Sequence, residues 1–145
     1  MARFKILAIF IAVFGLLFAG VGTANAARPH TVPSGDAITC TVNDADLSVT
    51  CTGELAGLGN VKLINVHVET GFACATRGNA NQPGGHVQGD SGPIQVNNGR
   101  ATFTVDTGPA SCPPGLNPVV GATSTITVTD LRTGKVIYTV TVPNQ

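Results

Sequence analysis

The sequence predicts an all-β fold, an antiparallel sandwich in a chain that is exported from the cell. Apolar residues recur at every second position through most of residues 37–143, which is the period of a strand with one buried face. Turn residues separate these stretches at short intervals, and no helical period continues beyond residue 26. About seven short strands in about 110 residues are typical of an immunoglobulin-like sandwich.

The N-terminus has the pattern of a secretory signal peptide. Arg3 and Lys5 precede an apolar run over residues 6–19, and residues 24–26 supply the small side chains that a signal peptidase recognises. The run is too short, and wrongly flanked, for a membrane span. Residues 1–26 are therefore predicted to be cleaved, and the protein is predicted to be secreted.

The remaining chain has the size and charge of one ordinary domain. Removing 26 of the 145 residues leaves 119, which is one domain by length. Residues 27–36 are interrupted by proline and glycine and are predicted to be a flexible N-terminal arm, with the sandwich domain over 37–143. Two of the eight Lys and Arg residues leave with the signal peptide, so six remain against eight Asp and Glu residues. This balance, with no cluster of Lys and Arg residues, gives no basic patch for nucleic acid or for a membrane surface. No second apolar run follows the signal peptide, so we expect an unknown extracellular partner and no membrane anchor after cleavage.

Apolar alternation places the first strands. Residues 38–42 and 47–51 are predicted to form a hairpin around the turn residues 43–46. Residues 61–77 alternate throughout, so they form one long strand or two strands joined at Gly71.

Two further hairpins follow. Asn97-Asn98-Gly99 is a strong turn signal, and it is predicted to join strand 94–96 to strand 101–105. The last hairpin pairs 122–128 with 136–142. Threonine occupies the alternate positions of its strands, which indicates a face in contact with solvent.

Two segments without alternation are predicted to be loops. Residues 78–92 are polar and Gly-rich, and residues 107–118 are Pro-rich and contain Cys112. Loops carry most binding sites on sandwich scaffolds. The candidate binding residues therefore lie in the first loop: Asn79, Asn81, Gln82, His86, Asp90 and Ser91.

In an exported chain the four cysteines indicate two disulfides. A hairpin centred between residues 45 and 46 places Cys40 opposite Cys51, within disulfide distance. Cys74 and Cys112 then form the second pair. The alternative, a zinc site, lacks both a closely spaced cysteine pair and a closely spaced histidine pair, so no metal or other cofactor is expected.

The segment Gly89-Asp-Ser-Gly-Pro93 resembles the nucleophile segment of trypsin-like serine proteases. A nucleophilic Ser91 needs a histidine base within reach and a third group that orients it. His67 and His86 are the upstream candidates for the base, with Asp44 or Glu69 as orienting groups. The same residues are ordinary turn formers, and the chain is short for a two-barrel protease, so a loop is the preferred interpretation.

Residues 43–46, Asn-Asp-Ala-Asp, offer two carboxylates two positions apart, as half of a calcium site does. No acidic partner for the remaining ligands follows from the spacing. A hairpin turn explains these residues without a metal.

Four short segments carry a family resemblance: 56–60 (Ala-Gly-Leu-Gly-Asn), Cys74 with 82–85 (Gln-Pro-Gly-Gly), 98–103 (Asn-Gly-Arg-Ala-Thr-Phe) and 112–113 (Cys-Pro). Together they resemble a loose group of small secreted bacterial β-sandwich proteins, abundant among actinobacteria, with no established activity. The resemblance implies export, a sandwich fold and pairing of Cys74 with Cys112. It carries over no catalytic residue.

The sequence thus predicts a secreted, non-enzymatic binding module whose ligand it does not identify. Two alternatives stay open. One is a secreted serine hydrolase that uses Ser91, and the other is a protease inhibitor that presents the loop around Cys112.

Overall fold

The computed structural model describes residues 28–31, 38–76 and 81–145, and in these residues the protein is all-β, without a helix. The predicted signal peptide and Asn79 lie outside the described residues. The strands are β1 (His30–Thr31), β2 (Ile38–Val42), β3 (Val49–Ala56), β4 (Leu63–Ala75), β5 (Asn81–Asp90), β6 (Ile94–Gln95), β7 (Ala101–Asp106), β8 (Asn117–Asp130) and β9 (Lys135–Pro143). No helix in this part of the chain is available to cross a membrane.

The strands form two antiparallel sheets. In the first sheet β3 is central, with β1 and β2 along one side and β7 along the other. The second sheet has the order β5-β4-β8-β9, and β6 pairs with the beginning of β4. Two residues of the predicted N-terminal arm belong to a sheet, because His30 and Thr31 pair with the end of β3.

The core consists of the alternate apolar residues of both sheets. The alternation is clearest in β7, where Ala101, Phe103 and Val105 are buried and the residues between them are exposed. The largest fully buried side chains include Leu55, Leu58, Ile64, Val66 and Ile126.

Backbone hydrogen bonds connect the sheets at both edges. Gln145 donates its N–H to the carbonyl of Cys40, and Val42 donates to the carbonyl of Gln145. At the opposite edge, Gly108 donates to Gln88 over 3.2 Å. The arrangement is therefore a sandwich whose edges are partly closed.

The first and last hairpins agree with the sequence prediction. Val42 opposes Val49 and Cys40 opposes Cys51, as the turn position predicted. Leu47, expected on the strand, instead has a φ of 58° and lies in the turn before β3. Strands β8 and β9 pair through the turn at 131–134, and β4 is one strand with an irregular register between Thr70 and Phe72.

Two predictions were wrong. Residues 81–90 are strand β5, paired with β4, and not part of a loop. The pair 94–96 and 101–105 is not a hairpin, because β6 joins the second sheet and β7 the first. The turn itself is confirmed: Asn98 and Gly99 have φ of 51° and 72°, and Asn97 and Arg100 form a single bridge. Beyond that bridge the chain crosses between the sheets.

Candidate functional site

Both predicted disulfides are present. Cys40 and Cys51 lie directly opposite each other in the β2–β3 hairpin, with Cα atoms 4.1 Å apart, and both are fully buried. Cys74, near the end of β4, is joined to Cys112 with Cα atoms 5.8 Å apart. The second link fixes the segment between β7 and β8 against the second sheet.

A cleft of about 620 Å³ lies where β5, β4 and β8 meet. Glycines from all three strands line it, together with a small number of larger side chains: Phe72, Pro83, His86, Val119, Val120 and Thr123. Val119 is 52% exposed, which is unusual among the large apolar residues of this protein. The cleft is therefore mostly apolar, with one ionisable side chain in its wall.

The glycines of the cleft allow the strands to approach closely. A Cβ atom on Gly121 would lie 2.8 Å from the carbonyl oxygen of Gly71, and one on Gly84 would collide with the backbone of Phe72. A Cβ atom on Gly85 would meet the ring of Phe72 at 3.4 Å. Irregular register at this part of β4 accompanies the contacts, as expected where glycine interrupts a strand.

Beside the cleft, a row of polar side chains occupies the face of β4 and β5 that points away from the core. His67 Nδ1 lies 3.1 Å from Asp90 Oδ1, and His67 Nε2 lies 3.9 Å from Glu69 Oε2. His86 Nδ1 lies 3.4 Å from Glu69 Oε1. We call these residues, with Asn65, the polar row. It runs along the sheet to the cleft, where His86 lies over Gly71.

The polar row lowers the pKa of one of its members, Asp90. The amide of Asn65 donates to Asp90 Oδ1 over 2.8 Å. This hydrogen bond, followed by the contact with His67, holds the pKa of Asp90 below its ordinary value, although partial burial acts in the opposite direction. Asp90 is thus ionised at neutral pH, and its side chain is 56% exposed.

Ser91 has a structural position. Its hydroxyl accepts a hydrogen bond from the N–H of Val66 over 2.9 Å and donates to the carbonyl of Gly92 over 2.7 Å. Both partners are backbone groups, whereas the ring nitrogens of His67 face Asp90 and Glu69. In a nucleophile–base pair, the histidine accepts a hydrogen bond from the serine hydroxyl. Ser91 and His67 do not have this arrangement.

The predicted binding residues are therefore only partly brought together. His86 lines the cleft, and Asp90 belongs to the polar row. Asn81 pairs with Ala75 at the far end of β5, and Gln82 opposes Cys74 there. Ser91 contributes its hydroxyl to the backbone of β4.

In the predicted turn at 43–46, the Asp46 carboxylate forms hydrogen bonds within the turn region. Asp46 Oδ1 accepts hydrogen bonds from the hydroxyl and the N–H of Ser48, over 2.7 and 3.0 Å. These bonds lower the pKa of Asp46. Across the described residues, no three His, Cys, Asp or Glu side chains are grouped so that they could hold a metal ion.

The loop around Cys112 is exposed at its tip. Leu116 donates its N–H to the carbonyl of Pro113 over 3.1 Å, and Gly115 has a φ of 87°. A turn with proline at its second position and glycine at its third, as in Pro114-Gly115, is the type II pattern. The disulfide anchors this turn one residue away.

Sequence reasoning missed the cleft, although a signal for it was present. Gly71 and Gly121 lie inside stretches that otherwise alternate as strands, and such glycines often mark a bulge or a close approach. The sequence predicts only a possible join of two strands at Gly71, and it assigns no role to Gly121. The partners that complete the cleft, Phe72 and Val119, have no distinguishing sequence pattern.

Comparison of the chain with protein-family models, with curated proteins and with solved structures gives no match.

Proposed function

We propose that this chain is a secreted, immunoglobulin-like module without catalytic activity, and that its cleft among β4, β5 and β8 binds an extended segment of an extracellular protein. The segment would insert an apolar side chain into the cleft and hold a Lys or Arg side chain against the polar row. The observation that carries the proposal is the cleft itself, which adjoins two partly exposed carboxylates.

Export is supported by two features. The first 26 residues have the composition of a signal peptide, and both disulfides belong to the kind that persist in oxidising compartments. Two packed antiparallel sheets of about one hundred residues favour the immunoglobulin-like class of sandwich.

The apolar part of the ligand follows from the cleft wall. Phe72, Pro83 and Val119 offer hydrocarbon surface, and glycine leaves the space between them open. Burying an aliphatic or aromatic side chain there would be favourable by the usual hydrophobic term. Binding sites of this kind combine apolar walls with a few polar groups that orient the ligand.

The cationic part of the ligand follows from the charges beside the cleft. In the described part of the chain, the ion-pair partners of Glu69 and Asp90 are histidines only. The Glu69 side chain is 41% exposed, so a partner's ammonium or guanidinium group can reach it. Opposite charge at the rim of an interface favours one class of partner and speeds its association.

A random peptide library displayed on phage tests the proposal. The folded protein is used for selection, and Gly71→Val is used for counter-selection. A Cβ at Gly71 would meet His86 Cδ2 at 3.6 Å, an ordinary contact, so valine fills the cleft while the backbone is kept. We expect enriched peptides to contain an apolar residue next to Lys or Arg, and to lose at least about tenfold in affinity for Gly71→Val.

The matched control is Thr139→Val, which adds the same side chain to an exposed position of β9. It should bind the selected peptides as the unmodified protein does. Peptides that bind Gly71→Val equally well, or a library that yields no enrichment, would overturn the proposal.

A second candidate function, protease inhibition, has one specific observation in its favour. The Pro113–Leu116 turn is exposed and is anchored by the Cys74–Cys112 disulfide, and rigid exposed loops bind proteases with little entropic loss. Inhibition of secreted proteases that persists in Gly71→Val but disappears in Cys74→Ala/Cys112→Ala would favour this candidate over the cleft.

A separate experiment tests whether the protein is a serine hydrolase. A serine-directed fluorophosphonate should not label the folded protein, because the Ser91 hydroxyl donates to a backbone carbonyl. Labelling that disappears in Ser91→Ala would establish a serine hydrolase instead.

A further inference from the structure

The Lys and Arg residues of the described chain gather at one end of the sandwich, although each stands alone in the sequence. They are Arg28, Lys62, Arg100, Arg132 and Lys135. We call this the basic end.

Strand connections bring these residues together. The segment 57–62 leaves β3 and enters β4, so Lys62 lies where the chain crosses from one sheet to the other. Arg28 donates its N–H to the carbonyl of Gly57 over 2.9 Å, and Leu58 donates to Gly99 over 3.0 Å, next to Arg100. Leu131 donates to Leu63 over 3.0 Å, which places the β8–β9 turn, with Arg132, beside Lys62.

Among the described residues, the carboxylates of Glu54 and Asp130 contact these basic residues. Glu54 pairs with Arg100 Nη1 over 3.2 Å. Asp130 is buried in the β8–β9 turn, where its Oδ1 accepts from the N–H of Arg132 over 2.8 Å. Three other carboxylates, Asp44, Asp46 and Asp106, lie at the opposite end, by the β2–β3 turn and the end of β7. These three carboxylates are therefore separated from the basic end along the long axis of the strands.

A second cleft, of about 500 Å³, opens at the basic end. Lys62, Arg100 and His30 line it, and Gly57, Gly59 and Gly99 leave it free of bulky side chains on their side. Arg28 O lies 2.9 Å from His30 Nδ1, which orients that ring at the cleft. The ion pair with Glu54 engages one nitrogen of the Arg100 guanidinium, whereas this group has five N–H donors.

We infer that this second cleft binds an oxyanion, the carboxylate or phosphate group of a ligand. Guanidinium groups hold both kinds of oxyanion in bidentate hydrogen bonds, and a lysine ammonium adds a mobile point charge. This site is distinct from the cleft among β4, β5 and β8, and it does not depend on the function proposed for that cleft.

Titration with inorganic phosphate, and separately with acetate, tests the inference and distinguishes the two sources of the oxyanion. Amide resonances of ¹⁵N-labelled protein are followed at constant ionic strength. We expect saturable shifts in the segments 57–62 and 97–100, with phosphate binding more tightly because it carries more charge. The double variant Lys62→Gln/Arg100→Gln should bind about tenfold more weakly.

The matched control is Arg132→Gln/Lys135→Gln, which removes the same charge from the same end but outside the cleft lining. Its affinity should fall by less than about threefold, because screening weakens distant charges. An equal loss in both double variants would show diffuse attraction and overturn the inference, as would shifts that never saturate. If the first double variant does not fold, Lys62→Glu alone provides the same test, since it reverses the charge at an exposed position.

Discussion

The β2–β3 hairpin and the β4–β5 pair are both antiparallel ladders, but different interactions stabilise them. In the hairpin, Cys40, Val49 and Cys51 are fully buried, and a disulfide crosses the two strands. In β5, by contrast, Val87 is the one buried residue among the described side chains of 82–90. Both strands of the hairpin contribute to the core, whereas β5 is held against β4 mainly by backbone hydrogen bonds and by the polar row.

The glycines of β5 explain why such a strand is useful. A Cβ atom on Gly89 would collide with the backbone of Asp106, so glycine lets β5 approach β7 at the edge of the sandwich. Gly84 and Gly85 similarly admit the backbone and ring of Phe72. Glycine inside a strand costs stability, yet β5 forms part of the cleft and of the polar row. Stability and the proposed binding surface therefore lie in different ladders.

The largest expected effect is loss of the hairpin disulfide. Cys40→Ala/Cys51→Ala removes a link that closes 11 residues, which contributes about 3 kcal/mol on the chain-entropy model. Truncating two fully buried side chains adds about 1 kcal/mol. Urea unfolding should show the free energy of unfolding lower by about 4 kcal/mol.

The second disulfide provides the matched variant. Cys74→Ala/Cys112→Ala removes a link between residues 38 positions apart. Without this link the loop 107–116 also gains freedom in the folded state, which offsets part of the loss. In addition, Cys112 is only half-buried. The loss should therefore be smaller, about 2 kcal/mol. A larger loss here than in the hairpin variant would contradict the view that the core ladder dominates stability.

Two valines test the same contrast without disulfides. Val49→Ala removes a fully buried side chain of the core cluster, and Val87→Ala removes one that is buried outside the core cluster formed by the described residues. We expect losses of about 2–3 and about 1 kcal/mol, respectively, from the transfer and cavity terms. Chemical denaturation gives both values, and equal losses would mean that β5 is as firmly packed as β3.

Val87→Ala should also act locally. Hydrogen exchange should accelerate in the amides of β5 while those of the hairpin keep their protection, because local opening follows low burial. Uniform acceleration across both ladders would indicate that β5 opens only with the whole domain.

The same contrast determines what the sequence could predict. The hairpin has alternating apolar residues and a short polar turn, so its register, and with it the Cys40–Cys51 pair, follows from residues 38–51 alone. In β5 the pattern is Asn-Gln-Pro-Gly-Gly-His, which has the composition of a loop. Its strand conformation depends on β4, a partner that no local pattern reveals.

The candidate sites also differ in how far the sequence predicts them. His86 and Asp90 are predicted as binding residues because the composition of 78–92 is that of a loop, although both lie on strand β5. The sequence does not predict the basic end, because its Lys and Arg residues form no cluster along the chain. Lys62 and Arg100 are 38 positions apart in sequence, and only the crossing between the two sheets brings them to one cleft.

The smallest expected effect concerns acid stability in the polar row. The Asn65 hydrogen bond and His67 lower the folded-state pKa of Asp90, so folding favours its ionised form. The resulting stabilisation is fully present above the ordinary pKa of about 4 and is lost as the pH falls through the lower folded value. Since Asp90 is more than half exposed, it amounts to less than about 1 kcal/mol.

Asp90→Asn should therefore lower the free energy of unfolding at neutral pH and have less effect below about pH 4. Asp46→Asn is the control in the other ladder, because the hydrogen bonds of Ser48 lower the pKa of Asp46 in the β2–β3 turn. Removing Asp90 should weaken hydrogen-exchange protection in β5 at neutral pH and change it less below about pH 4, whereas removing Asp46 should leave the protection of β5 unchanged. If both variants change protection in the same strands, the polar row and the hairpin turn belong to one cooperative unit, and the distinction between the two ladders fails.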